Sequence, residues 1–275
     1  MKKISASVVE GDVRGEQTYL VISDVHWDSK HCVRSLLKEH LDEAVERDAP
    51  IFIIGDFFDA MQGHNDPRSM KGDLLHELDH PAYFDKMVEK AAEWLEPYRG
   101  HIALVTPGNH ELSVTKHYGV GLTERLAGTL NQAGGTCHTG GYEGWVLFRC
   151  YNGDSHRGTV KMYYNHGSGG SSPVTKGTTK ASRRAAYLPD ADIVAAGHIH
   201  EAWQVEFPRL RISNRGVLSE DCQLHIQMAA YLADRGKDGN SWPATREFSP
   251  KPLGGWWLKF GIRGNEPTYQ AVRAK

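Results

Sequence analysis

Apolar and polar residues alternate along this chain in two regimes. Up to residue 111, short apolar runs take turns with amphipathic stretches. "TYLVIS" (residues 18–23), "PIFIIGD" (50–56) and "HIALVTPGNHE" (101–111) read as buried strands that end at polar, turn-forming residues. Between them, "VRSLLKEHLDEAVERD" sets Leu36, Leu37, Leu41 and Val45 on one helical stripe, and "YFDKMVEKAAEWLEPY" reads as a second helix. This rhythm predicts βαβ units and a central, largely parallel sheet. Residues 60–81 are polar and carry Gly, Pro and His, so they read as a long loop able to act as a movable lid.

Beyond Val120 the pattern shortens. A helix over residues 121–130 leads to the strands "WVLFRC", "VKMYYNH", "ADIVAAG", "AWQVEF" and "RLRISN", and the tail supplies "GGWWLKFGIRG" and "TYQAV". Several of these pair antiparallel, which predicts a second sheet packed face to face on the first. Residues 235–252 are rich in Gly, Pro, Ser and charge and read as an exposed excursion. With no internal repeat and no linker composition, residues 1–275 read as a single α/β domain.

Composition narrows the function classes. Lys plus Arg number 32 against 34 Asp plus Glu, so no global field recruits nucleic acid or an anionic membrane. A local basic groove remains open. Cys32, Cys137, Cys150 and Cys222 are scattered without a C-x-x-C pair, which argues for reduced thiols rather than a disulfide framework or a cysteine zinc site. The first residues lack the apolar core of a signal peptide, and no stretch is apolar enough to span a bilayer. An intracellular, cytoplasmic protein without a membrane partner is expected.

Five segments then share one design, in which an apolar run ends in residues that ligate metals. They are "SDVH" (Asp24, His26), "GDFFD" (Asp56, Asp59), "GNHE" (Asn109, His110), "NHG" (His166) and "GHIH" (His198, His200). Any one alone reads as a cap, a turn residue or a loop histidine. Five in succession at the carboxyl ends of strands fall where α/β sheets bind ligands. Two divalent ions about 3.5 Å apart need a carboxylate between them, and neutral imidazoles fill the remaining positions.

The set resembles the calcineurin-like metallophosphoesterase superfamily, whose signature is D-x-H, G-D-x-x-D, G-N-H-[DE], a lone histidine and G-H-x-H. All five blocks stand here in order, from Asp24 to His200. The resemblance implies a four-layer αββα sandwich of two packed mixed sheets flanked by helices. It further implies that Asp24, His26 and His200 hold one ion, that Asn109, His166 and His198 hold a second, and that Asp56 bridges both. His110 would act on the leaving oxygen, with Asp59 accepting a hydrogen bond from it and holding it charged. The cofactors implied are two divalent ions, manganese first, with iron, zinc, nickel or cobalt compatible with the same N/O ligands.

The chain departs from the protein Ser/Thr phosphatases of that superfamily, where an arginine and a glycine follow the second block. Here Ala60 and Met61 follow Asp59, which removes the usual phosphate clamp. Hydrolysis of phosphodiesters in nucleotides or nucleic acid is the function expected. A DNA exonuclease, a phosphomonoesterase and a non-catalytic scaffold are the alternatives. The basic stretch after His166 bears on the nuclease reading, because Lys180, Arg183 and Arg184 share one face if helical. That face reads equally as solvated surface, as do Lys176, Arg68 and Lys71. His64, His76 and His80 read as surface residues, Trp27 as a site wall or core residue, and Trp242, Trp256 and Trp257 as packing. "PKPLGGWWLKF" resembles metallophosphoesterases of bacteriophages and their hosts, which tilts the substrate toward nucleic acid or nucleotides.

Overall fold

In the computed structural model, described for residues 1–62, 74–170, 172, 174–233, 235, 242–247 and 249–274, two mixed sheets pack face to face. In chain order the N-terminal half comprises β1 (Lys2–Ser5), β2 (Val8–Arg14), β3 (Gln17–Ile22), α1 (Arg34–Glu46), β4 (Ile51–Ile54), α2 (Tyr83–Leu95), β5 (Ile102–Thr106), α3 (Asn109–Tyr118) and α4 (Leu122–Gln132). The rest comprises β6 (His138–Thr139), β7 (Glu143–Asn152), β8 (Ser155–Asn165), α5 (Thr178–Tyr187), β9 (Ile193–Ala196), β10 (Trp203–Ile212), β11 (Leu218–Gln227), a short helical turn at Trp242–Thr245, β12 (Trp256–Arg263) and β13 (Glu266–Arg273).

One sheet runs β13-β12-β3-β4-β5-β6, and its β3, β4, β5 and β6 are parallel, as the alternating pattern predicts. The other runs β1-β2-β7-β8-β9-β11-β10. Their facing sides form one core around Tyr19, Phe52, Phe148, Met162, Ile226 and Phe260. On its far side the first sheet carries α1, α2 and α4 over Leu37, Leu41, Met87, Leu126 and Trp257. The fourth layer is thin. Among the described elements α5 alone flanks it, near a small cluster of Tyr163, Leu188, Ala191 and Val194.

Several expectations change in detail. In α1 the buried stripe is Leu37, His40, Leu41 and Ala44, while Val45 turns outward. "AWQVEF" and "RLRISN" are one strand, β10, running through Pro208. A proline is tolerated because β10 is a sheet edge that pairs only with β11. The hairpin β1–β2 and strand β11 were not expected. Val9 and Val13 carry β2 into the core across a charged stretch, and the first half of β11 is exposed and polar, so neither gives a plain alternation.

Trp256 and Trp257 are both buried, on opposite faces of β12. Trp27 is core, packed near Trp94 beneath the Arg34 guanidinium. All four cysteines are free thiols, Cys222 exposed, Cys32 half-buried and the other two buried. Among the described residues no helix is long and apolar enough to cross a membrane. His76 and His80 are exposed. Arg68, Lys71, His64, the side chain of Trp242 and the middle of the expected lid lie outside the described residues.

Candidate metal centre

The first sheet delivers its ligands from the carboxyl ends of β3, β4 and β5, and the second from the ends of β8 and β9. Because the strand ends meet at one edge of the sandwich, residues up to 176 positions apart in sequence become neighbours: the Asp24 carboxylate lies 3.3 Å from His200 Nε2. The segments after β3 and β4 fix one another's turns. The Asp24 N–H donates to the Gly55 carbonyl, that of His26 to Asp56, and that of Trp27 to Phe57.

Backbone geometry marks these turns. Asp24, His26, Asp56, His198 and His200 all have positive φ, between 47° and 73°. Side chains of this kind visit the left-handed region uncommonly, at a cost of about 1–3 kcal/mol each. Here the surrounding hydrogen bonds hold them there. The His198 N–H donates to the Asp24 carboxylate at 2.9 and 3.1 Å, and the His110 N–H donates to Asp56 Oδ1 at 3.0 Å. Five strained residues in one cluster are what a ligand-holding site, rather than a set of ordinary turns, produces.

Two glycines in these blocks are required by close approach. A Cβ on Gly108 would stand 2.0 Å from Asp56 Oδ1, and one on Gly55 would stand 2.2 Å from His166 Nδ1. Gly55 also has φ of +73°. A glycine before the ligand is therefore part of the packing of its neighbour.

The side chains converge in two neighbouring groups. Ligand atoms of Asp24, His26 and His200 lie within 4.8 Å of one another, as do those of Asp56, His166 and His198. Asn109 Oδ1 joins the second group, 3.1 Å from His166 Nε2 and 2.7 Å from His198 Nδ1. Asp56 Oδ2 is 3.0 Å from His166 Nε2 and 3.7 Å from His110 Nε2. A third grouping of His26, Asp59 and His110 shares His26 with the first. It is accounted for by hydrogen bonds: His26 Nδ1 donates to Asp59 Oδ1 at 2.9 Å, and His110 Nδ1 donates to the Asp59 main-chain carbonyl at 2.5 Å.

The expected partnership of Asp59 and His110 thus takes a different form. The carboxylate of Asp59 orients His26 and stands 3.8 Å from His110 Nδ1, while its carbonyl orients His110. The physical reason is the turn at Asp59, which aims the side chain toward the D-x-H block and the carbonyl toward α3.

Whether these residues suit divalent ions is tested by the imidazole of His26. Its Nδ1 proton is used by Asp59, and its Nε2 is buried without a hydrogen-bond partner. A carboxylate behind one ring nitrogen, with the other left bare, is how metal-binding histidines are held. His166 has a carbonyl in place of the carboxylate, with Nδ1 3.4 Å from the Ile54 oxygen, and its Nε2 meets the neighbouring candidate ligands Asp56 and Asn109 at 3.0 and 3.1 Å. The set fits.

Electrostatics agree. Burial opposes charge on His166, yet Asp24 and Asp56 push it up to about 9. Burial likewise opposes charge on His110, and the Asp56 and Asp59 carboxylates raise it above the ordinary histidine value. Asp24 and Asp56 stay well below the usual carboxylate range despite burial, held there chiefly by His166. Buried carboxylates and imidazoles thus perturb one another strongly at this edge of the sandwich, as groups crowded into a ligand site do.

Three supporting residues were not singled out from sequence. Glu111, buried at the start of α3, accepts the N–H groups of Gly108 at 2.8 Å, Phe58 at 2.9 Å and Asp56 at 3.2 Å. Burial and the nearby Asp56 push its carboxyl up to about 7. Ser23 Oγ donates to Asp24 Oδ2 and lies 2.6 Å from the Ile54 carbonyl. Asp28 accepts from the Asp59 turn. The fourth letter of "GNHE" was the available signal for Glu111; a lone serine or aspartate offers none.

Among the basic residues after His166, Lys180 is spent within the fold. Its ammonium donates to the carbonyls of Ser168 and Gly170 and so ties down the loop after His166. Lys176 lies 3.7 Å from Glu201. The second half of this stretch is helical, as α5, with Arg183 exposed and Arg184 half-buried.

Comparison with known proteins settles the lineage. Residues 18–202, which contain every one of these ligands, match the calcineurin-like phosphoesterase family. The chain belongs to that family. Among solved structures, this phosphoesterase-family chain is similar to a predicted phosphoesterase from Streptococcus pneumoniae, at 11% identity and a TM-score of 0.34, covering 94% of this chain and 98% of that one. It is similar also to GAP50 of Plasmodium, the anchor in the inner membrane complex, at 13% identity and a TM-score of 0.43, covering 95% and 85%. A zinc complex of Vps29 from Entamoeba histolytica aligns at 10% identity and a TM-score of 0.38, covering 94% and 100%. Among curated proteins none matches the chain.

Proposed function

We propose that this protein is a dimetal phosphodiesterase that hydrolyses phosphodiester bonds of nucleotides or nucleic acid, with manganese as the first-choice metal, in the cytoplasm. The observation that carries the reading is the convergence of seven metal-type ligands beside His110, whose ring is oriented by the Asp59 carbonyl. Asp24, His26 and His200 would hold one ion, Asn109, His166 and His198 the other, with Asp56 common to both. When bound, such a pair supplies Lewis acidity toward the phosphoryl oxygens and makes water a usable nucleophile near neutral pH.

The chain's own groups do the rest. His110 has Nδ1 on the Asp59 carbonyl, which fixes the ring and leaves Nε2 to give its proton to the departing alkoxide. The Asp56 and Asp59 carboxylates raise its proton affinity above that of an ordinary histidine, against the opposing effect of burial. His26 is fixed through Nδ1 by Asp59, which leaves its Nε2 as the ligand atom. Where protein phosphatases place an arginine after the second block, this chain has Ala60, whose N–H is bonded inward to Asp28. That supports a diester, whose single negative charge needs less neutralisation than a monoester dianion. Since Lys180 is engaged with loop carbonyls, no specific observation favours the exonuclease reading over the general one.

Hydrolysis of bis-p-nitrophenyl phosphate and of p-nitrophenyl phosphate, compared with manganese added, tests the proposal. A higher kcat/KM on the diester is expected. A clear preference for the monoester would remove the diesterase part.

A further inference from the structure

We propose that Asp28 is a positioning residue for the reaction: it sets the turn at Asp59 and, through it, the orientation of both His26 and His110. The kinetic part of this inference rests on the phosphoesterase reading.

Asp28 is 3% exposed, and its carboxylate is met by three donors. The Asp59 N–H reaches Oδ1 at 2.6 Å, while the Ala60 N–H and the Tyr83 hydroxyl reach Oδ2, each at 2.9 Å. Ala60 has φ of +52°, so the two amides that Asp28 accepts flank a turn an alanine does not adopt by itself. From that turn the two polar groups of Asp59 diverge. Its carboxylate takes the Nδ1 proton of His26, whose Nε2 faces the first metal group, and its carbonyl takes the Nδ1 proton of His110. One residue thus aims a metal ligand and the proton donor together, and Asp28 holds that residue in place.

Asp28 is itself anchored. The preceding Trp27 is buried, its N–H donates to the Phe57 carbonyl at 2.8 Å, and Arg34 both covers its ring and donates from Nε to its carbonyl at 3.1 Å. Tyr83 ties the carboxylate to the first residue of α2. Only a group with acceptors and no donors satisfies three converging donors. An asparagine of the same shape would turn an NH2 toward an N–H or an O–H. The carboxylate at residue 28 is therefore required by what it accepts, which a filler of the same volume would not reproduce.

The test uses the full chain carrying Asp28→Asn, and separately Tyr83→Phe. For Asp28→Asn, kcat on bis-p-nitrophenyl phosphate falls by about 10- to 100-fold with KM within about threefold. Calorimetric titration of the metal-depleted protein with manganese shows an affinity loss of the same order, and hydrogen exchange at the Asp59 and Ala60 amides quickens by about tenfold or more. Tyr83→Phe, which unfastens the carboxylate from α2, lowers kcat by about threefold at unchanged KM and quickens exchange at Ala60. Wild-type kcat and manganese affinity in Asp28→Asn overturn the proposal. So does exchange that quickens uniformly across both sheets, which marks general destabilisation. If Asp28→Asn does not fold, a Tyr83→Phe protein indistinguishable from wild type overturns it as well. A wild-type chain inert toward both ester substrates removes the phosphoesterase reading and leaves the manganese and exchange measurements to decide Asp28.

Discussion

Gly108→Ala isolates the packing of the metal centre from every other property of the chain. Gly108 has φ of −103° and ψ of −164°, an extended conformation open to alanine, so the substitution introduces no backbone strain of its own. It also leaves the Gly108 N–H in place as a donor to Glu111. The whole effect comes from one methyl group. Its carbon would stand 2.0 Å from Asp56 Oδ1, 2.5 Å from the Asp56 nitrogen and 2.6 Å from its carboxyl carbon.

Ordinary contact begins near 3.4 Å, so Asp56 or β5 must shift by more than about 1 Å, and the nearest atoms include backbone that cannot swing aside. Overpacking of this kind costs about 1–3 kcal/mol of stability. A displacement of about 1 Å in a reacting constellation costs roughly 100-fold in rate. Because Asp56 is proposed to serve both ions, the variant should bind less than two equivalents of metal and lose at least about 100-fold in kcat/KM, while the fold persists. Gly128→Ala is the control: nothing lies within 4 Å of its Cβ position in α4, and alanine there should add up to about 1 kcal/mol of stability. Elemental analysis, diester hydrolysis and thermal unfolding of both variants read the outcome. A Gly108→Ala protein with full metal content and wild-type activity would refute the claim that Gly108 exists to admit Asp56.

Two further outcomes follow from the same geometry. His110→Ala should lower kcat by about 100- to 10,000-fold while metal stoichiometry is unchanged, because in the proposed mechanism His110 serves the leaving group and ligates neither ion; loss of metal in this variant would contradict that role. His225, buried in β11 with Nδ1 unpartnered, is pulled down to about 4 by burial and by Arg184 and Arg209. Above pH 6.5 both folded and unfolded chains leave it neutral. As pH falls from 6.5 toward 4 the unfolded chain takes a proton that the folded site refuses, so stability declines by about 1.4 kcal/mol per unit, roughly 2–3 kcal/mol by pH 4.5. Denaturant melts of His225→Gln should show a decline shallower by that amount, and parallel pH profiles would refute the assignment.

The convergence of the candidate ligands was legible in the sequence because each follows an apolar run and sits beside a fixed companion, as in G-D, G-N-H and G-H-x-H. The same periodicity predicted β3, β4, β5, α1 and α2. What it could not express is conformation at single residues: nothing in the letters of Asp24 or His198 announces a left-handed backbone, which is imposed by hydrogen bonds from distant strands. Partners chosen by tertiary packing were also hidden. Asp59 was expected to serve His110 with its carboxylate, yet the turn presents the carbonyl instead. Asp28 and Glu111 act through main-chain amides that no side-chain pattern reveals. Lys180 reads as a free cation in sequence but folds back onto the loop behind His166. The hairpin β1–β2 and strand β11 were missed because each carries its apolar residues over only part of its length.

The central claim is that seven side chains from both sheets cradle two cations. A crystal of the protein grown with manganese, measured at an energy where that metal scatters anomalously, tests it most directly. The account predicts two anomalous peaks about 3.5 Å apart, one within bonding distance of Asp24, His26 and His200, the other of Asn109, His166 and His198, with Asp56 touching both. A single peak, or peaks bound elsewhere with His26 Nε2 still unligated, would contradict it.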